Sequence, residues 1–104
     1  MTSFGELFTT FRLRAGFSSL SQLADAFAER GYFYEISTFC RWQKGKRIPT
    51  KRALLLQLLA LFIERKAIRS IEEANVFLES AEQGYLTKKE QEHFLKINPH
   101  ISQN

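Results

Sequence analysis

The chain has 104 residues, of which 44% are hydrophobic and 25% charged. These values are typical of one globular domain with a single core, and they exclude an intrinsically disordered chain. Its one cysteine, Cys40, excludes an internal disulfide and a cysteine-based zinc site. The longest apolar run, residues 53–63, is interrupted by Gln57 and is too short for a membrane span. We expect a cytoplasmic protein, because residues 1–16 do not resemble a signal peptide.

The net charge of +4 is unevenly distributed along the chain. Residues 36–69 contain nine basic residues and one acidic residue, a charge of +8. The segments on either side are acidic, at −1 for residues 1–35 and −3 for residues 70–104. A segregated positive charge of this kind favours an anionic partner, although basic segments can also be simple solvated surface.

Two helices are predicted in the first third of the chain. Each begins where a serine is followed three residues later by Glu or Gln, which is the spacing of a capping box. Apolar residues follow at helical spacing, and each segment closes at a glycine. The pairs are Ser3 with Glu6 and Ser19 with Gln22, and the closing glycines are Gly16 and Gly31.

The third and fourth helices lack a capping box and are placed by apolar pattern. Ile36, Phe39 and Trp42 recur at every third position, and the pattern closes at a glycine, which predicts a short helix. The aromatic residues at 32–34 are expected to cover the core from the preceding loop. After Pro49, the run from residue 51 to about 65 is apolar on nearly all sides, so a buried central helix is expected.

Two further capping-box pairs predict a fifth and a sixth helix. They are expected to form a C-terminal helical hairpin over residues 70–97, with the fifth helix ending at Gly84 and residues 98–104 as a frayed tail. The whole chain, 1–104, is therefore predicted to be one all-α domain of about six helices, with a core over residues 3–66. The pairs are Ser70 with Glu73 and Thr87 with Glu90.

The third helix is followed by a segment that is rich in basic residues and has no acidic ones. If Phe39 and Trp42 hold this helix to the core, its other face, with Ser37, Thr38 and Arg41, must point outward. A helix that turns polar and basic side chains outward is suited to reading a nucleic-acid groove. The basic residues of the helix and the segment are Arg41, Lys44, Lys46, Arg47, Lys51 and Arg52.

Residues 4–63 resemble the phage-repressor type of helix-turn-helix, the Cro, lambda-repressor and Xre group. The resemblance is most specific over residues 37–49, where Trp42 and Gly45 match the Trp-x-x-Gly end of a recognition helix. It is weaker at Arg12, at Gly16 and over residues 23–24. The resemblance implies a lambda-repressor-like fold that binds double-stranded DNA through its third helix.

The resemblance also implies which side chains contact DNA. Base-facing positions of the family fall on Ile36, Ser37 and Arg41, with Thr38 beside them. The Arg41 fork can pair with O6 and N7 of guanine, a contact worth about 1–3 kcal/mol of discrimination. Backbone phosphates would be held by Ser19, Lys44, Lys46, Arg47 and Lys51, with Ser18 beside Ser19.

Several of these residues also have a purely structural interpretation. Arg41 can lie over the aromatic surface, Ser18 and Ser19 can be helix caps only, and Cys40 is most simply a small buried hydrophobe. The chain also departs from the family by extra residues near 28–32 and by Glu35, which replaces the usual Ser or Thr cap. Glu35 would either repel phosphate or accept a hydrogen bond from cytosine N4.

The sequence predicts a DNA-binding transcriptional regulator that acts as a homodimer, because one recognition helix buries little surface. The alternative is a protein interaction module, or the N-terminal domain of a larger signalling protein, that uses the same fold. The acidic C-terminal hairpin is a candidate dimer or partner surface. No catalytic constellation or cofactor motif is found, so we expect neither an enzyme nor a bound cofactor.

Overall fold

A computed structural model describes residues 2–103 and shows an all-α protein with six helices in this range, which confirms the predicted fold class. The Cα radius of gyration is 12.6 Å. No helix within residues 2–103 combines the length and apolar content needed to cross a bilayer. The helices are α1 (Phe4–Arg14), α2 (Leu20–Glu29), α3 (Ile36–Gln43), α4 (Arg52–Glu64), α5 (Ile71–Ser80) and α6 (Lys88–Ile97).

All four helix starts that were predicted from the capping-box spacing are confirmed. Helices α1 and α6 have complete boxes, in which the capping hydroxyl and the carboxylate three residues later each accept a backbone N–H. In α2 and α5 the side chain at the third helical position accepts from the backbone N–H of the residue before the N-cap, and not from the N-cap itself. The Gln22 side chain accepts from Ser18 N at 2.7 Å, and the Glu73 side chain accepts from Arg69 N at 3.0 Å.

Helices α1 to α5 all end in the paired hydrogen bonds of a Schellman motif, which needs one residue with positive φ. Glycine supplies it after α1, α2 and α3, as predicted, but Lys66 (φ 62°) and Glu82 (φ 61°) supply it after α4 and α5. The predicted stop of α5 at Gly84 is therefore wrong. The helix ends at Ser80, because Glu82 takes the left-handed position and the N–H of Gln83 donates to Leu78 O at 2.9 Å.

Helix α4 forms the middle of the hydrophobic core, with eight of its 13 residues buried. The Phe62 ring lies 6.1 Å from Phe11, 6.4 Å from Phe8 and 5.9 Å from Phe77, measured between centroids. One side chain of α4 thereby joins α1 and α5. The same cluster continues into α3 through Phe8 and Phe39, whose ring centroids are 6.4 Å apart.

Helices α5 and α6 follow one another in the chain and pack mainly on different neighbours. Helix α5 lies against α1, whereas α6 lies against α4. The Asn75 side chain joins α5 to the loop before α6 by accepting from Leu86 N at 2.8 Å. This C-terminal region thus packs mainly on α1 and α4, whereas α3 packs mainly on α1 and α2.

The prediction of a frayed tail is wrong for the described part of residues 98–104. Ile101 is buried, and Ser102 exchanges two backbone hydrogen bonds with the start of α5, from Ser102 N to Arg69 O at 2.9 Å and from Ile71 N to Ser102 O at 2.8 Å. A single parallel bridge between Ser70 and Ser102 results. Asn104, the last residue of the predicted tail, lies outside the described residues.

Candidate nucleic-acid interface

Helix α3 is held from two sides, by α1 and α2. Its two buried aromatic residues, Phe39 and Trp42, have ring centroids 5.2 Å apart, and the Trp42 ring meets Phe8 of α1 edge-on at 5.9 Å. Burial of these rings fixes which face of the short helix points outward. Trp42 is therefore a core residue, as the sequence indicated.

Helix α1 lies very close to the end of α3 at Gly5. A Cβ atom at Gly5 would lie 2.5 Å from the carbonyl oxygen of Gln43 and 2.9 Å from that of Trp42. Both atoms are backbone, so neither can swing away. The missing side chain at Gly5 thus sets the position of α3, although a glycine inside a helix costs about 0.5–1 kcal/mol relative to alanine.

The loop between α2 and α3 is fixed by two of its three aromatic residues. Tyr32 stacks on Phe27 with 5.1 Å between ring centroids, and the Tyr34 ring contacts Phe27, Phe39 and Trp42 at 6.1–6.2 Å. Phe33 is 79% exposed, so the expectation that residues 32–34 all cover the core is wrong for this residue. Alternation along an extended segment explains the difference, because neighbouring side chains point to opposite sides.

The first turn of α3 exposes polar and apolar side chains together. Glu35 is the N-cap but makes no side-chain capping bond, and it accepts instead from the Ser37 hydroxyl at 3.3 Å. Ile36, the first residue of the helix, is 48% exposed. Ser37 is also exposed and Thr38 is half-buried, so the face predicted to read bases is accessible at both residues.

The chain reverses sharply where α3 ends. Gly45, at φ 75°, allows the N–H of Lys46 and that of Arg47 to reach the same carbonyl oxygen, Arg41 O, at 2.9 and 3.4 Å. We call residues 44–51 the exit loop. The reversal brings Arg47 back beside Arg41, six positions earlier in the sequence.

A depression of about 270 Å³ lies between α3 and the exit loop. It brings together four of the residues predicted to contact DNA, namely Thr38, Arg41, Arg47 and Lys51. The others lie outside its lining: Ile36, Ser37, Lys44 and Lys46 are exposed, and Ser19 caps α2 by accepting from Gln22 N at 3.2 Å. The remaining lining residues, which sequence reasoning missed as site residues, are Tyr34, Trp42, Ile48, Pro49, Thr50 and Leu54.

The basic residues of α3 and the exit loop carry charge without an ion-pair partner among residues 2–103. None of the five forms an ion pair with any residue in the range 2–103, and all five are exposed. Charges left unpaired on one surface create a positive potential there that attracts anions. We call this set the basic surface: Arg41, Lys44, Lys46, Arg47 and Lys51.

Arg52, the sixth basic residue of the segment, belongs to the scaffold instead. Its guanidinium donates to both carboxylate oxygens of Glu90 in α6, at 3.0 and 2.7 Å, and to the carbonyl oxygens of Gly84 and Tyr85. The hydrogen bond from Arg52 lowers the pKa of Glu90 to about 2. The same contact raises the pKa of Arg52, so the protein itself stabilises the charge of this arginine.

Two other residues singled out from sequence have structural positions. Arg12 is buried, and its guanidinium donates to Phe17 O at 2.7 Å, which supports the turn after α1. Cys40 is half-buried, so the expectation of a buried hydrophobe is only partly met. Within residues 2–103 no group of three His, Cys, Asp or Glu side chains is placed to hold a metal ion.

Comparison of the chain with models of protein families, with curated proteins and with solved structures finds no match. The resemblance to phage-repressor helix-turn-helix proteins therefore stays a prediction. What the structure describes directly is a short helix packed on two others, with an accessible outer face and an unpaired basic surface beside it.

Proposed function

We propose that the protein binds double-stranded DNA sequence-specifically through α3 and acts as a transcriptional regulator. The observation that carries this proposal is the basic surface, five exposed cations without an acidic partner among residues 2–103. DNA is a regular polyanion, and release of its counterions by such cations supplies most of the affinity that does not depend on sequence.

The anchoring of α3 supports a sequence-reading role in addition to simple charge attraction. Gly5, Phe39 and Trp42 fix the helix to the core, so its outward side chains are presented in one orientation. In this proposal Arg41 reads guanine, with Ser37 and Thr38 beside it. Lys44, Lys46, Arg47 and Lys51 hold phosphates, and Ser19 adds a contact from the start of α2.

The proposal is tested by titrating labelled random-sequence duplexes with the protein at salt concentrations between about 50 and 200 mM, followed by fluorescence anisotropy. Four or five phosphate contacts predict a slope of about −4 for log affinity against log salt. Absence of binding at the lowest salt, with the helical fold intact by circular dichroism, would sink the proposal. The interaction-module alternative would then stand.

Two double variants, each of which neutralises two neighbouring cations, test which surface of the protein binds DNA. The double variant Lys46→Gln/Arg47→Gln should reduce the salt slope by about 2, because two phosphate contacts are lost. The control is Lys88→Gln/Lys89→Gln, which removes the same charge at the exposed start of α6. A control that lowers the slope equally would show that net charge, and not the basic surface, governs binding.

Sequence reading is tested separately from affinity. Selection from a randomised duplex pool should give a defined site for the unaltered protein and a weaker preference for Arg41→Ala. Lys46→Ala should weaken binding to every duplex alike and leave the selected site unchanged. Equal effects of the two substitutions on preference would remove Arg41 from the base-reading role.

A homodimer on a two-fold symmetric site is part of the proposal, because one eight-residue recognition helix contacts few base pairs. Two protein chains per selected duplex, measured by light scattering, are expected. A ratio of one chain per selected site, at saturating protein, would contradict the dimer and leave DNA binding itself in place.

A further inference from the structure

The depression between α3 and the exit loop has the chemistry of an anion site. Its lining includes three basic residues, Arg41, Arg47 and Lys51, and three residues that carry a hydroxyl group, Tyr34, Thr38 and Thr50. No Asp or Glu is among its lining residues. Such a combination of cations and neutral donors around one concave space suits a tetrahedral oxyanion, which accepts several hydrogen bonds at once.

Tyr34 is the hydroxyl-bearing residue of this group whose ring is packed against the aromatic core. Its ring is held by contacts with Phe27, Phe39 and Trp42, while 38% of the residue stays exposed. Its hydroxyl forms no hydrogen bond with any residue in the range 2–103, whereas the Tyr85 hydroxyl donates to Glu79 at 2.8 Å. A donor that is already immobilised loses little conformational entropy when it binds a ligand.

We propose that this depression is a seat that binds one phosphate of the DNA backbone, with the Tyr34 hydroxyl as a neutral donor. This inference rests on the DNA binding proposed above. Arg47 and Lys51 supply charge from the exit loop, and Arg41 borders the seat from α3. The seat would fix how far α3 enters the major groove, because a phosphate contact on a rigid ring sets the register of the helix on the duplex.

The same oxyanion chemistry would also suit a free phosphorylated solute, and we assign the seat to DNA because of its surroundings. Lys44 and Lys46 add two exposed positive charges outside the lining of the depression. A polyanion engages the seat and these residues together.

The experiment compares Tyr34→Phe, which removes only the hydroxyl, with Tyr85→Phe as the matched control. Anisotropy titrations use several duplexes of different sequence across a salt series. Tyr34→Phe should weaken binding about 3–10-fold for every duplex, the range expected for one lost hydrogen bond. Its salt slope should stay unchanged, because a neutral hydroxyl releases no counterion, whereas Arg47→Gln should lower the slope by about 1.

Each remaining outcome decides the assignment. Unchanged affinity of Tyr34→Phe, or an effect confined to one sequence, overturns the phosphate seat while DNA binding by the unaltered protein still stands. Absence of binding by the unaltered protein overturns both.

Thermal unfolding of Tyr34→Phe within about 2 °C of the unaltered protein shows that the fold is kept, since the ring contacts remain. A larger shift would mean that the hydroxyl supports the fold, which overturns its assignment as a free donor.

Inorganic pyrophosphate is the probe for the other source of phosphate. In ¹⁵N-labelled protein, the amide signals of Tyr34, Thr38 and Thr50 should shift to saturation on addition of duplex, and pyrophosphate at equal phosphate concentration should give only small shifts that do not saturate. A saturable response of these three signals to pyrophosphate alone would overturn the assignment to DNA in favour of a small phosphorylated ligand.

Discussion

Lys51 and Arg52 are neighbours in the chain, but they belong to regions of opposite character. Lys51 lines the open depression and has no acidic partner in residues 2–103, while Arg52 binds Glu90 with two hydrogen bonds and two carbonyl oxygens with others. A count of basic residues in a segment therefore does not measure the charge that is available to an anionic partner. What distinguishes the two is whether the protein itself satisfies the charge.

The largest effect is expected at the anchor that holds α3 in place. Gly5→Ala would put a methyl group 2.5 Å from Gln43 O, so we expect a loss of about 2–3 kcal/mol in the free energy of unfolding, measured by urea denaturation. Gly84→Ala is the control, because no atom lies within 4 Å of its added Cβ. If Gly5→Ala proves as stable as the control, α1 and α3 are not in the close contact described.

Substitution of the two neighbouring cations tests the comparison directly. Arg52→Met should cost about 1–2 kcal/mol of stability, because Glu90 and two carbonyl oxygens lose their donor in a partly buried pair. Lys51→Met should change stability by less than about 0.5 kcal/mol and instead lower the DNA salt slope by about 1.

Urea denaturation and DNA titration of both variants give the two readouts. The assignment of Arg52 to the scaffold and Lys51 to the basic surface would be wrong if the effects were reversed, with Lys51 needed for stability and Arg52 for DNA binding. Equal loss of DNA affinity in both variants, at the same salt slope, would likewise show that the division between scaffold and basic surface is not real.

The Arg52–Glu90 pair also predicts a dependence of stability on pH. The folded-state pKa of Glu90, about 2, lies below its ordinary value of 4.5, so the pair stabilises the fold fully above about pH 4.5. This contribution is lost as the pH falls from 4.5 toward 2. We expect it to be about 1–2 kcal/mol, allowing for solvent screening of a side chain that is partly exposed.

Glu90→Gln is the matched variant, because it keeps the shape of the side chain and removes its titration. The unaltered protein should lose more stability than Glu90→Gln between pH 5 and pH 2.5, as measured by urea denaturation at each pH. Parallel curves for the two proteins would show that Glu90 does not carry this pH dependence.

The helix starts and the all-α fold could be predicted from the sequence because their causes are local. A Ser3 or Thr87 hydroxyl meets a backbone N–H only three residues away, so the spacing itself contains the information. The basic surface was predicted for a similar reason, since Phe39 and Trp42 lie within the same eight-residue helix. Arg52 was left out of the predicted DNA contacts, but its partner Glu90 could not be predicted.

The features that were missed depend on contacts between distant parts of the chain. The role of Gly5 requires the end of α3, the role of Arg52 requires Glu90, and the docking of Ser102 requires the start of α5. Tyr34 lines the depression because the exit loop folds back toward α3. No periodicity in a single sequence reports such pairings, because each joins elements whose relative position is set by the whole core.

The smallest effect is expected at the end of α5, far in sequence from the basic surface. Glu82 has φ 61° and closes a Schellman motif, a position that costs a side chain about 1–2 kcal/mol and glycine about 0.5–1 kcal/mol in entropy. Glu82→Gly should therefore stabilise the protein by about 0.5 kcal/mol in thermal unfolding. Its DNA salt slope should stay unchanged, although it removes a negative charge. A destabilised variant would show that Glu82 does not hold the left-handed position, whereas a changed slope would extend the proposed DNA-binding surface to α5.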